Sequence, residues 1–514
     1  MAHAAPAPLP ADVVNRIPIT GALMLATLMN TLDSTIANVA LPHMKGSLSA
    51  SQDQITWVLT SYIIATAIMT PLSGWLAQKI GRKTMFVACI TGFTVASALC
   101  GVAQNLPQMV LFRFLQGIAG AALIPLSQAV MLDLYPQRLI PQVMSIWSAA
   151  VIMGPIIGPA VGGWLTENFS WRWVFYINVP IGALAIFALL TFMADDPGGR
   201  QRPFDFLGFG ALAVFVGSFQ LMMDRGPDQD WFGSPEIVIE AVVAALGFWI
   251  FLIQTLTAEN PFFHRDLAKD RNFVSCTLFG FCVGGILFST TAVLPSFMQN
   301  LLGYSALQSG YASMPRGVGS LTAFIAMPFL ISRVGARRTL VIGIVLCIVA
   351  LWLMAQFNLD MTARPIVISG LIQGVGVGML FSPLNILSYV TLSPVHRTEG
   401  TVVATMVRSL GSSMGISAIQ ASLTNSAAVA HARLGEHIIA GSPALIAATP
   451  PGVDPTTAAG AAMLNGELTR QATMVSYVDV FAWMAVLTLL LVPLLFLMRS
   501  PPPMQTLPLE TAAE

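Results

Sequence analysis

Windows of about twenty mostly apolar residues recur along the chain near 17–41, 54–76, 84–104, 107–130, 142–164 and 172–193. That is the length a helix needs to cross ~30 Å of hydrocarbon, so each window predicts a membrane span. These six spans precede a charged break from Asp195 to Asp205. Two further windows fall near 204–223 and 236–257, and six more near 273–297, 306–331, 337–357, 364–390, 401–423 and 477–498. The pattern predicts an all-α polytopic membrane protein with fourteen transmembrane helices, flanked by tails at 1–16 and 499–514.

Composition agrees with the pattern. Of 514 residues, 55% are hydrophobic and 9% charged, against roughly 25% charged in a soluble domain. Lys+Arg and Asp+Glu are both 24, so no charge excess argues for a nucleic-acid partner, and the lipid bilayer is the expected solvent. The first residues are rich in Ala and Pro and lack the basic start of a signal peptide, which predicts a short tail. All five cysteines lie in apolar windows, where they read as packing residues rather than as a disulfide frame or metal site.

Basic residues orient the spans. With an even number of spans both termini share a side, and that side carries fifteen Lys and Arg, among them Lys79, Arg82, Lys83, Arg333, Arg337 and Arg338, against six opposite. The positive-inside rule then places both termini in the cytoplasm.

The two blocks of six spans echo each other. Lys79 to Thr84 resembles Arg333 to Thr339, Leu115-Gln116-Gly117 resembles Ile372-Gln373-Gly374, and Val39 to Pro42 resembles Ala292 to Pro295, at offsets of about 253 to 258. Such long-period similarity marks a transporter built of two halves. The expected organisation is 6+2+6: a first half over 17–193, an inserted two-helix hairpin over 204–257, and a second half over 273–498 with a long outer loop at 424–476.

Asp33, within the first span, is the residue most in need of explanation, because a bare carboxylate inside a membrane costs several kcal/mol and marks a functional site by default. It lies about eight residues from the outer end of its span, and Arg113 about six from the outer end of the fourth. At ~1.5 Å per residue the two share a depth and can pair. Pairing favours the charged carboxylate and desolvation the protonated one, an opposition suited to proton handling. A static ion pair locking two helices is the plain alternative. Gln116 lies one turn after Arg113, on the same face. In the second half Asp33 aligns with about Ile286 and Arg113 with about Gly370. Charge is therefore concentrated in the first half, which is expected to handle an ion while the second supplies an apolar wall.

Other candidates are mechanical or lining. Gly154, Pro155, Gly158, Pro159, Gly162 and Gly163 in the fifth span predict a kink and close approach of a neighbour, with plain packing as the alternative. The connection around Gly74, Gly81, Arg82 and Lys83 reads either as a positive-inside loop or as a cytoplasmic gate latch. Arg316 and Glu240, near span ends, are expected to snorkel, and Arg408 to line or cap the cavity. Asn30, Asn38, Gln373 and Asn385 are polar groups expected near its centre, with Met153, Phe279, Phe288, Met379 and Phe381 as adaptable apolar surface, although packing or a lipid-facing role is the commoner reading for any one of these Met and Phe residues. No Gly-x-x-x-x-Gly-Lys-[Ser/Thr] loop occurs, so the chain is not expected to carry its own ATPase, and no catalytic residue, metal or cofactor is expected.

These residues resemble the major facilitator superfamily, and within it the fourteen-span drug/proton antiporters that act in bacterial tripartite multidrug efflux. Leu32 to Pro42 resembles that family's first-span signature, Arg113 with Gln116, Gly117 and Gly120 its fourth-span motif, and Gly154 to Gly163 its antiporter motif. Trp171 to Gly182, Asp224-Arg225-Gly226 with Asp230-Trp231-Phe232, and the long loop before the last span resemble the tripartite-pump branch. The resemblance implies proton-driven export of small lipophilic substrates, Asp33, Arg113 and Gln116 as coupling residues, a periplasmic adaptor and outer-membrane channel as partners, and a Gram-negative inner membrane. Gln78 stands where the family often has an aspartate, so a latch on that carboxylate is not expected here. Export of one dedicated siderophore, lipid or fatty-acid derivative, and a non-transporting sensor or scaffold, are the competing readings.

Overall fold

The computed structural model describes residues 15–195, 203–436, 438, 445 and 457–498. The expected tails, apart from Arg16 and its neighbour, and the centre of the expected outer loop lie outside them. Fourteen long helices run back and forth: α1 (Arg16–Ser47), α2 (Trp57–Ile80), α3 (Arg82–Val102), α4 (Leu106–Leu134), α5 (Ile140–Asn168), α6 (Trp173–Phe192), α7 (Phe206–Arg225), α8 (Pro235–Thr257), α9 (Arg271–Asn300), α10 (Ala306–Val334), α11 (Ala336–Met354), α12 (Ala363–Val390), α13 (Arg397–Gly435) and α14 (Ala458–Leu489). Among the described residues, thirteen of them are long and apolar enough to cross a membrane. Hydropathy passes over α1 because Asn30, Thr31 and Asp33 dilute it, yet these three are buried inside the bundle and meet no lipid. The face where α1 begins is called proximal below, and the opposite face distal.

Local chemistry sets the ends. Asn105, Asp270 and Ser305 cap α4, α9 and α10 by accepting from backbone N–H groups three residues on, at 3.0, 2.8 and 3.1 Å, which satisfies donors that helices leave orphaned. The sharp turns joining α2 to α3 and α10 to α11 use Gly81 and Gly335, with φ of 87° at both and ψ of 150° and 151°. A side chain rarely adopts that backbone. Identical geometry 254 positions apart makes the internal repeat visible in three dimensions.

The same repeat governs how each half packs. On α5, a Cβ at Gly154 would lie 2.2 Å from Thr31 Oγ1, one at Gly158 2.3 Å from Thr35 Oγ1, and one at Gly162 2.8 Å from Ile36. Small residues therefore bring α5 into backbone contact with α1. Gly163 leaves more room at this seam, since an added Cβ would lie 3.8 Å from Val39 of α1, and α5 runs as one unbroken helix through Pro155 and Pro159, so packing rather than interruption is their visible effect. In the second half α13 meets α9 through Gly411, Gly415 and Gly285.

The hairpin α7–α8 joins both halves on one side. Thr60 of α2 donates to Asp224 of α7, Ser413 of α13 donates to Gln220 at 2.8 Å, and Ser417 of α13 donates to the Met223 carbonyl. Residues 424–435 and 458–476, expected as loop with at most short helices, are long helical continuations of α13 and α14. They pair as an antiparallel hairpin, with His431 and Asn465 3.1 Å apart. Alanine-rich helix outside a membrane lacks an apolar run, so span length could not reveal it. The last window, expected to 498, is helical only to Leu489 before a turn and a short 3-10 helix at Val492–Phe496.

Candidate functional site

Asp33 and Arg113 are both fully buried, and Arg113 Nη1 donates to Asp33 Oδ2 at 2.7 Å. Gln116 Nε2 donates to Asp33 Oδ1 at 2.9 Å, and Arg113 Nη1 also donates to Gln116 Oε1 at 2.8 Å. A further donor, absent from the expected site, completes the shell: Asn178 Nδ2 reaches Asp33 Oδ1 at 2.8 Å. Charge-assisted bonds of this length are the strong kind, and together they satisfy an ionised carboxylate deep in a bundle.

Four helices hold the network. Asp33 comes from α1, Arg113 and Gln116 from α4, Asn178 from α6, and α2 contributes the Val58 carbonyl, which accepts from Arg113 Nε at 3.1 Å. The Arg113 guanidinium also lies over the Tyr62 ring of α2, 4.2 Å from its centroid. Asn178 is fixed in turn by Ser97 of α3 at 2.9 Å, whose hydroxyl donates to the Phe175 carbonyl at 2.9 Å. Two buried groups remain without a partner among the described residues, Arg113 Nη2 and Asn178 Oδ1.

Asn30 belongs to the edge of this assembly rather than to an open cavity. Its amide donates to the Gly120 carbonyl at 3.1 Å and to the Tyr62 hydroxyl at 3.3 Å. Asn38 is exposed and stands apart. In the second half, Phe279 and Phe381 are buried in one apolar core cluster and Met379 in another. Phe279 and Met379 fill the core of their own half rather than facing a ligand space, whereas the Phe381 ring, though buried, stands 5.7 Å from the Arg408 guanidinium. Met153 and Phe288 are half-buried. Gln373 is fully buried with neither amide atom bonded among the described residues.

Asn385 has a role the sequence did not indicate. It donates to Ser148 of α5 at 3.3 Å, and the hydroxyls of Ser145 and Ser382 lie 2.8 Å apart beside it. These bonds join α5 of the first half to α12 of the second. Toward the distal face α5 meets α10, where a Cβ at Gly317 would lie 2.4 Å from Ile156 and one at Gly310 3.8 Å from Ala160.

The proximal face carries a charged latch. Asp133, at the end of α4, pairs with Arg82 of α3 at 2.7 Å and with Arg397 of α13 at 3.1 Å. Arg82 also donates to Thr398 at 3.3 Å, and Lys83 pairs with Asp195 at 2.9 Å. Gly74 of α2 faces Val402 of α13, whose Cγ2 would lie 3.3 Å from an added Cβ. Asp133 thus supplies a carboxylate for the latch although Gln78 does not. The distal end of the hairpin holds a smaller cluster, with Arg225 paired to Glu236 and lying 4.0 Å from Glu240.

Two helical halves that meet across the membrane, one of them holding a buried charge network, define a membrane transporter rather than an enzyme. The chain belongs to the Major Facilitator Superfamily, whose family model matches residues 23–416. It is similar to the multidrug export protein EmrB of Escherichia coli K12, 33% identical over 496 residues that cover 96% of this chain and 97% of that one. It is also similar to the fatty acid resistance protein FarB of Neisseria gonorrhoeae, 34% identical over 500 residues covering 94% and 96%. Its fold matches the human organic anion transporter MFSD10 with a TM-score of 0.57 at 13% identity, covering 93% of this chain and all of that one.

Proposed function

We propose that this protein is a proton-driven antiporter that exports lipophilic or amphipathic compounds across a bacterial inner membrane by alternating access. The observation that carries the reading is the Asp33–Arg113 pair, because ionisable residues inside a membrane bundle are rare, pair with one another and mark proton relays by default. The similarity to EmrB, named for multidrug export, supports the substrate breadth. With the basic-residue bias of the connections, the proximal face is cytoplasmic and the distal face periplasmic.

A proton arriving from the periplasm neutralises Asp33 and removes its Coulomb attraction to Arg113. The protonated carboxyl then needs an acceptor, and Asn178 Oδ1, buried without a partner among the described residues, is one amide rotation away. α1 is thereby loosened from α4 while it stays joined to α5 along the glycine seam. Because α5 forms contacts to α12 and α10, a shift of α1 is delivered to the interface between the halves. Proton release to the cytoplasm restores the pair and resets the cycle. Proton and substrate compete energetically for conformations and need not share an atom.

Reconstituted protein under an imposed pH gradient tests this. Wild-type protein is expected to move several unrelated lipophilic dyes in response to the gradient, and Asp33→Asn protein to lose that response. Undiminished gradient-driven export by correctly inserted Asp33→Asn protein sinks the assignment. The helical projection of α13 and α14 is the proposed docking surface for a periplasmic adaptor leading to an outer-membrane channel, testable by copurification with and without residues 424–476. The similarity to FarB favours one second reading, export dedicated to a fatty-acid-like molecule. Transport confined to that class among the tested compounds would select it.

A further inference from the structure

Arg316 and Arg408 lie within spans of the second half, and no carboxylate pairs with either among the described residues. Arg113 and Arg225 each have an acid partner. Both uncompensated side chains turn toward α9. Arg316 of α10 donates from Nη2 to the Leu287 carbonyl at 3.1 Å, and its other side-chain donors make no hydrogen bond among the described residues. This departs from the expected snorkelling. Arg408 of α13 leans on Gly284, where an added Cβ would lie 3.1 Å from its Cγ, and its guanidinium stands 5.7 Å from the Phe381 ring centroid. It makes no side-chain hydrogen bond among the described residues. Gly284 and Leu287 are three residues apart on α9, so the two cations address the same stretch of one helix.

Their surroundings are mostly apolar, with the buried Tyr389 near Arg408 and the Ser412 hydroxyl donating to the Arg408 carbonyl at 2.9 Å. Phe381 is buried in the core of the second half, and Ala404, one turn from Arg408, packs against the core of the first. A carbonyl and a ring face supply only partial charge, so neither arginine is neutralised. Gln373 on α12 adds a fully buried amide with neither end bonded, and Gly370 and Gly374 on either side of it pack against the Arg316 backbone. Unmatched cations, an orphan amide and an aromatic wall are the complement of an oxyanion carried on an apolar body.

We propose that Arg316 and Arg408 form an anion-recognition site that selects exported substrates bearing a carboxylate, sulfonate or similar head on an apolar skeleton. This rests on the export reading above and assigns its substrate class. An anionic lipid head offers the same chemistry, and the test separates the two.

The probes are 8-anilinonaphthalene-1-sulfonate and N-phenyl-1-naphthylamine, which share a ring skeleton and differ by the sulfonate. Full-length protein is reconstituted in phosphatidylcholine vesicles, with and without phosphatidylglycerol, and gradient-driven transport of each dye is measured. The ratio of KM for the anionic dye to KM for the neutral dye is expected to rise about tenfold or more in Arg408→Gln and in Arg316→Gln. Arg408→Lys should keep most of the selectivity, a rescue that loss of packing alone would not give. An unchanged ratio in both Gln variants overturns the proposal. So does a wild-type ratio that phosphatidylglycerol alters and the variants abolish, since the site then serves lipid. If the neutral dye moves and the anionic dye does not, only the anion site fails. If neither dye responds to the gradient, the export reading fails and the anion site with it.

Discussion

Where α5 crosses α1, Gly154 and Gly158 remove the side chains that would collide with Thr31 and Thr35; where α13 crosses α9, Gly411 and Gly415 do the same against Phe281 and Gly285. The glycine pairs are 257 positions apart, and the turns at Gly81 and Gly335 have matching backbones. Chemistry does not repeat in this way. Asp33 of the first half has Ile286 near its counterpart, and Gln116, bonded to Asp33, has as counterpart the unbonded Gln373. The first half balances its buried charge internally, whereas the second leaves two cations open. Duplicated packing thus preserves a shared motion, while the buried residues are free to diverge into separate tasks.

The sharpest way to break that comparison is Asp33→Asn. Removing one partner strands a buried cation, which costs about 3–5 kcal/mol in other proteins, so gradient-driven transport in vesicles should fall on the order of 100-fold or more. If it falls by less than a factor of two, the first half does not own the coupling. Asp133→Asn should come next. It leaves Arg82 and Arg397 without their shared carboxylate, and maleimide labelling of a Ser382→Cys reporter from the proximal face should accelerate about tenfold. Unchanged labelling would mean that the latch does not hold the halves together.

Gly154→Ala and Gly411→Ala test the shared mechanics. Each added methyl meets an atom at 2.2 Å, and overpacking of this sort costs about 1–3 kcal/mol. Both variants should therefore melt at lower temperature in detergent by similar amounts; a loss confined to one would end the mechanical equivalence. The smallest effect expected is that of Asn178→Ala, a threefold to tenfold loss of transport rate on the order of one hydrogen bond to a charged group. Asn178→Asp should be worse, since it puts a second carboxylate beside Asp33.

The spans were legible because membrane thickness imposes a run length, and Asp33 with Arg113 because isolated charges stand out in such runs. Asn178 was not, although it lies in the quoted Trp171 to Gly182 motif: an asparagine at the start of an apolar run does not reveal which helix it faces. Asp133 and Arg397 are 264 positions apart, so nothing local joins them. Phe279 and Met379 could not be placed from sequence, since an apolar residue in a span looks the same whether it lines a cavity or fills a core. The extension of α13 and α14 was hidden because its Ala- and Thr-rich turns carry no hydrophobic signal.

One of those extended helices has a mechanical consequence. α13 holds 39 residues without a break, from Arg397 to Gly435, and at ~1.5 Å per residue it measures roughly 58 Å. Latch and tip are therefore opposite ends of a single rod whose middle, at Gly411 and Gly415, rests against α9. A helix that long, moving as one body, carries any displacement at Arg397 to the tip, and whatever grips the tip can sense that displacement or resist it.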